Sequence, residues 1–186
     1  MHAEIVIAGF GGQGILFLGR VLAEAGMIEG YEVTWFPSYG PEMRGGTANC
    51  TVIISEEEIG ATVTAHPDIC VVMNEPSLRK FAASVREGGL LLVNSSLVST
   101  DYRSDTVEVV KVPANELAKR TVGNPRVINM VMLGGLVATR ELVSFASVEK
   151  ALQTILQRKE GLLEANLKAL QVGRDFVIRR GEVNVS

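Results

Sequence analysis

The sequence predicts one α/β domain over residues 1–186, with a mostly parallel sheet, helices on both faces and a helical carboxy-terminal third. Two observations set that class. Short apolar, β-branched runs alternate with segments of helical periodicity, the pattern of strands and crossover helices. The composition is also rich in apolar residues and glycine, 47% hydrophobic with 19 Gly in 186 residues. That excess over an ordinary domain calls for a sheet covered on both faces or for a large partner interface.

The first strand is the apolar run Ile5-Val6-Ile7-Ala8. A helix over 15–28 follows, in which Leu18, Leu22 and Ala25 share one face and Gly19, Ala23 and Gly26 form a smooth stripe. Each interior glycine costs a helix about 1 kcal/mol relative to alanine, so close packing must compensate. Strands are predicted over 32–36 and 47–55, separated by a loop punctuated by Pro37, Gly40, Pro41, Gly45 and Gly46. A core strand over 69–73 leads to Asn74, a helix cap for 76–86, which Gly88-Gly89 ends. Strands over 90–93 and 107–112 follow. A helix from Pro113 to about residue 120 stops near Gly123. Three more helices are predicted over 126–139, 147–157 and 162–178.

Eighteen Lys+Arg against 21 Asp+Glu give a formal charge of −3, the wrong balance for a nucleic-acid protein. The amino terminus lacks a basic leader, and the uncharged stretch over 127–139 is too short to span a bilayer. The expectation is a cytoplasmic protein without membrane or nucleic-acid partners. The two cysteines, Cys50 and Cys70, and two histidines, His2 and His66, form no metal-binding spacing, and an iron–sulfur cluster wants about four thiolates. No metal site is expected. Cys70 reads as core and His66 as a turn or solvated residue, while Cys50 is open to either a core or a reactive reading.

Gly9, Gly11 and Gly14 fit G-x-G-x-x-G between a strand and a helix, with Gly12 and Gln13 inside the turn. Here a Rossmann-like reading enters: such a turn brings a phosphate to the helix N-terminus. The alternative is that the glycines only permit a tight turn. A plain dinucleotide site also wants an acid near the end of the second strand. That strand ends Trp35-Phe36-Pro37-Ser38, and Glu32 stands at its start.

A second glycine-rich segment, Ser38-Tyr39-Gly40-Pro41-Glu42-Met43-Arg44-Gly45-Gly46, belongs by prediction to the same sheet edge. Arg44 suits bidentate binding of a phosphate or carboxylate, Glu42 could orient it, and Gly45 and Gly46 leave room beside it. The plain alternative is a stiffened surface loop with an ordinary ion pair. In the helix over 126–139, Asn129 interrupts an all-round apolar surface. Such a helix is either core or a subunit interface, with Asn129 near a ligand or fixing register.

Together the two glycine-rich segments resemble the gamma subunit of 2-oxoacid:ferredoxin oxidoreductases. Ile54-Ser55-Glu56-Glu57-Glu58-Ile59, Pro67-Asp68-Ile69 and Asn129-Met130-Val131-Met132-Leu133-Gly134 continue the similarity over nearly the whole chain. The length, too, resembles the separate gamma subunit. The resemblance implies a subunit, inactive alone, of an enzyme that oxidatively decarboxylates a 2-oxoacid to an acyl-CoA and reduces ferredoxin. The wording of the second segment looks closest to 2-oxoglutarate-type subunits, with branched-chain, pyruvate and indolepyruvate types open.

Thiamine diphosphate, coenzyme A and iron–sulfur clusters would belong to the assembled enzyme, none held by this chain alone. The partners implied are alpha, beta and ferredoxin-like delta subunits and ferredoxin, with self-association of the isolated chain expected from its apolar surplus. The candidate ligand-facing residues are Gly9, Gly11, Gly12, Gln13, Gly14, Tyr39, Glu42, Arg44, Gly45, Gly46 and Asn129; no catalytic residue is assigned. Two other readings stay open, a stand-alone nucleotide-binding dehydrogenase and a non-catalytic scaffold subunit.

Overall fold

The structure is a computed structural model that describes residues 1–38, 47–157 and 159–184. Its six strands are β1 (His2–Phe10), β2 (Glu32–Ser38), β3 (Thr47–Ser55), β4 (Ile69–Val72), β5 (Leu90–Asn94) and β6 (Glu108–Val112). They form one sheet in the order β2-β3-β1-β4-β5-β6. The ladders β1–β4, β4–β5 and β5–β6 are parallel, whereas β3 runs antiparallel to both β1 and β2. The sheet is therefore mixed. Because β3 runs antiparallel to both, β2 runs in the same direction as β1 but is not its neighbour.

The helices are α1 (Ile15–Ile28), α2 (Glu75–Phe81), α3 (Ala114–Leu117), α4 (Ile128–Thr139), α5 (Phe145–Leu156) and α6 (Glu160–Asn184). Strand alternation sorts the core into two parts. Ile5, Ile7, Val52, Ile54, Val71 and Leu92 face the large cluster that includes residues of α1, α4 and α5. Val6, Cys70, Val72, Leu91 and Val93 face a smaller cluster with Leu78 and Ala82, so α2 and its following 3-10 turn cover the other side. Several predicted helices are subdivided. Residues 82–84 and 125–127 are 3-10 turns, and α3 runs on into a wide π-type turn over Ala118–Val122 that Gly123 ends at φ 81°.

The smooth stripe of α1 packs as its composition requires. A Cβ on Gly19 would lie 2.7 Å from Cys50 Sγ, and one on Gly26 2.9 Å from Val33 Cγ2, so the helix lies directly on β2 and β3. Cys50 is fully buried, and burial pushes its thiol up to about 12, as it does that of Cys70. Both are core residues, which closes the reactive reading of Cys50.

The helix around Asn129 belongs to the core. Every residue from Ile128 to Val137 in α4 is buried within the chain itself. The partner surface is α6. A Cβ on Gly134 would stand 1.9 Å from Leu170 O, and one on Gly173 1.9 Å from Val131 O, so the two helices touch backbone to backbone. The apolar helix is buried against its own chain. No described helix is long and apolar enough to cross a membrane.

Candidate functional site at the carboxyl edge of the sheet

Five co-directional strands end at one edge, the place where open α/β sheets collect ligands. The turn from β1 to α1 stands there, and Phe10 pairs with Thr47 across it. The segment between β2 and β3 therefore departs from and returns to this edge at Ser38 and Thr47. Tyr39, Glu42, Arg44, Gly45 and Gly46 lie outside the described residues.

The glycines of the turn divide into different roles. A Cβ on Gly9 would sit 2.7 Å from Gln13 Oε1 and 2.9 Å from Ile15 Cγ2, so this position lets turn, helix and strand close on one another. Gly14 is the N-cap of α1 in the left-handed region, φ 73°, and a Cβ there would meet Asn129 Nδ2 at 2.5 Å. Gly12, at φ 90°, has no described residue within 4 Å of where a Cβ would be. Gly11 and Gly12 are exposed, while Gln13 and Gly14 are half-buried. The outer part of the turn is thus open and its base is packed.

Gln13 folds back on the turn it belongs to. Its Oε1 accepts from the Phe10 N–H at 2.6 Å and from Asn74 Nδ2 at 2.8 Å. Asn129, from the start of α4, donates through Nδ2 to Gly14 O at 3.1 Å. Its Oδ1 is buried beside the turn and finds no hydrogen-bond partner among the described residues, although Asn129 is only 5% exposed. An unpaired buried acceptor of this kind costs about 1–3 kcal/mol, which a donor arriving with a ligand or partner would offset. The start of α1 has no side-chain cap and no acidic residue in its first turn. The N–H groups of a first turn that carries no carboxylate of its own make this end suitable for an anion.

Glu75 opens α2 directly after Asn74. Its carboxylate is engaged elsewhere, accepting from the Ser99 N–H at 3.1 Å, the Thr100 N–H at 3.3 Å and the Thr100 hydroxyl. The Thr100 hydroxyl above all, with the two N–H groups and Arg79, holds this carboxyl below the usual range. Asn94, at the end of β5, is fully buried and was not singled out from sequence as a site residue. An asparagine closing an apolar strand at this edge was the available signal. The described residues contain no group of three His, Cys, Asp or Glu side chains placed to hold a metal ion. His66 is exposed, and His2 lies 3.4 Å from Glu4 Oε1 at the opposite end of β1.

The fold and edge define a mixed-sheet α/β domain with an open glycine turn at a helix start. The family model described as pyruvate ferredoxin/flavodoxin oxidoreductase matches residues 4–176. The chain is 39% identical over 177 residues to ketoisovalerate oxidoreductase subunit VorA of Methanothermobacter marburgensis, a match covering 94% of this chain and 36% of VorA. It therefore spans about a third of that relative. It is 38% identical over 175 residues to 2-oxoglutarate synthase subunit KorC of Methanocaldococcus jannaschii, covering 93% of this chain and 92% of KorC. The crystal structure of the gamma subunit of the keto/oxoacid ferredoxin oxidoreductase from Geobacter sulfurreducens superposes with a TM-score of 0.82 at 34% identity, covering 95% of this chain and 99% of that one. The chain belongs to the pyruvate ferredoxin/flavodoxin oxidoreductase family and corresponds to its gamma subunit.

Proposed function

We propose that the chain, as one domain, is the gamma subunit of a complex that oxidatively decarboxylates a 2-oxoacid to an acyl-CoA and reduces ferredoxin. Alpha, beta and ferredoxin-like delta subunits are its partners in this reading, and 2-oxoglutarate is the favoured substrate. The observation that carries the reading is the near end-to-end match to KorC of a chain whose open glycine turn stands at the ligand edge. The uncapped start of α1 and the unpaired Asn129 Oδ1 fit a phosphate-bearing group with hydrogen-bond donors, as thiamine diphosphate and coenzyme A both are. Two buried thiols raised to about 12 do not fit an iron–sulfur cluster, whose ligands must be thiolates. In this reading the turn binds and orients, and chemistry at the keto carbon is supplied by the bound cofactor.

A branched-chain 2-oxoacid is the second reading, favoured by the 39% identity to VorA. Reconstitution with the partner subunits separates the two by turnover of 2-oxoglutarate against 3-methyl-2-oxobutanoate. The chain alone should turn over neither. Turnover by the isolated chain, or affinity of the isolated chain for NAD, would favour the stand-alone dehydrogenase instead. Arg44, with Tyr39, Glu42, Gly45 and Gly46, is assigned to the same ligand by residue type alone. Arg44→Ala and Arg44→Lys should both raise a Michaelis constant for coenzyme A or thiamine diphosphate, because lysine keeps the charge but loses the fork. The loss expected is about 1.5–3 kcal/mol, one to two orders of magnitude. If neither constant moves while the complex assembles, the segment is a packing element and the scaffold reading takes its place.

A further inference from the structure

Asn74 follows β4 at the carboxyl edge, is 2% exposed, and uses its two amide atoms in opposite directions. Its Oδ1 accepts from the Ser77 N–H at 3.0 Å and caps α2. Its Nδ2 donates to Gln13 Oε1 at 2.8 Å, the same oxygen that receives the Phe10 N–H. The residue before it, Met73, is held in turn from the next strand: Asn94 Nδ2 donates to Met73 O at 3.3 Å and to Asn115 Oδ1 at 2.9 Å. Asn94 Oδ1 accepts from the Ala114 N–H at 3.2 Å and the Ser96 N–H at 3.3 Å. A line of carboxamides thus crosses the ends of β1, β4 and β5 and reaches the segment after β6.

We infer that Asn74 is a positioning residue for the ligand-facing glycine turn, acting through Gln13, and that Asn94 fixes it from β5. A cap alone does not require asparagine, since Asp and Ser cap helices about equally well. What Asp and Ser lack is the Nδ2 donor. With Asp at position 74, Gln13 must turn its amide to present a donor, and the Phe10 N–H loses its acceptor. A neutral amide also does this work without placing a carboxylate beside the helix start where an anion is proposed to bind. Only the kinetic arm of the test rests on the ligand reading above.

The test compares Asn74→Asp and Asn74→Ser with Gln13→Glu. Glutamate retains two acceptor oxygens for Phe10 N–H and Asn74 Nδ2 but adds a negative charge. Hydrogen exchange at the Phe10 amide, measured on the full chain, reads the positioning directly. Both Asn74 variants should speed it roughly ten-fold while leaving the α2 amides protected, and Gln13→Glu should leave it slow. Unchanged Phe10 exchange in both Asn74 variants overturns the positioning role. In the reconstituted complex, Gln13→Glu should raise the Michaelis constant for coenzyme A or thiamine diphosphate, and the Asn74 variants should raise the same constant. Faster exchange with both constants unmoved in every variant leaves the positioning role standing and overturns the ligand reading.

Discussion

Glycine does opposite work in two regions of this molecule. Where α4 crosses α6, the space that side chains of Gly134 and Gly173 would occupy is filled by backbone, with carbonyl oxygens 1.9 Å from each ideal Cβ. At the outer glycine turn, no described residue comes within 4 Å of where a Cβ on Gly12 would be. The first region uses the missing side chain to bring two helices together. The second sets exposed glycines at the edge of the sheet where five strands end. A glycine filled by its own chain is structural; a glycine left open on a fixed turn has room for something else. Gly14 stands between these cases, since its backbone needs the left-handed region and its Cβ position is taken by the Asn129 amide.

Substitutions break or sharpen this contrast in a graded way. Gly173→Ala and Gly134→Ala should be the most damaging, because the obstruction is backbone on both sides. A loss of about 3 kcal/mol or more is expected, read as a lowered urea midpoint or insoluble expression. If either variant melted like the parent, the close crossing would not be a requirement of the fold. Next comes Gly14→Ala, at about 2 kcal/mol from the left-handed backbone and the displaced Asn129. Gly12→Ala should cost only about 1 kcal/mol, a backbone term with no clash. It should nevertheless raise the Michaelis constant of the turn's ligand in the reconstituted complex more than Gly134 or Gly173 variants that still assemble. Equal kinetic effects from both regions would erase the distinction.

The smallest effect at neutral pH concerns the thiols. Burial keeps both cysteines protonated in the folded chain until about 12, against an ordinary thiol value of 9.0. The folded state therefore holds protons that the unfolded state has released between those values. Their contribution is fully present below pH 9 and is lost as pH rises toward 12, so stability should fall across that window. At pH 8 neither thiol should react appreciably with iodoacetamide until denaturant is added. Rapid labelling of Cys50 in the native chain would mean that α1 does not seal against β3.

The sequence by itself determined the class of fold, the order of strands and helices and the position of the glycine turn. Those features depend on local periodicity, on punctuation by glycine and proline, and on the cap at Asn74, all of which act over a few residues. The family resemblance carried by the two glycine-rich segments held over the matched length. Tertiary structure alone decided three things. It placed antiparallel β3 between β1 and β2, because strand pairing joins residues far apart in sequence and leaves no local mark. It assigned the apolar α4 to the core, because an all-round apolar helix reads alike in a core and at an interface until Gly134 is seen against Leu170 and Gly173 against Val131. And it brought Asn74, Asn94 and Asn115 into one line with Gln13, from four segments whose asparagines look like ordinary cap and turn residues when read singly. Hydrogen-bond partners of a side chain are set by where strands end in space, which the chain settles only once the sheet has formed.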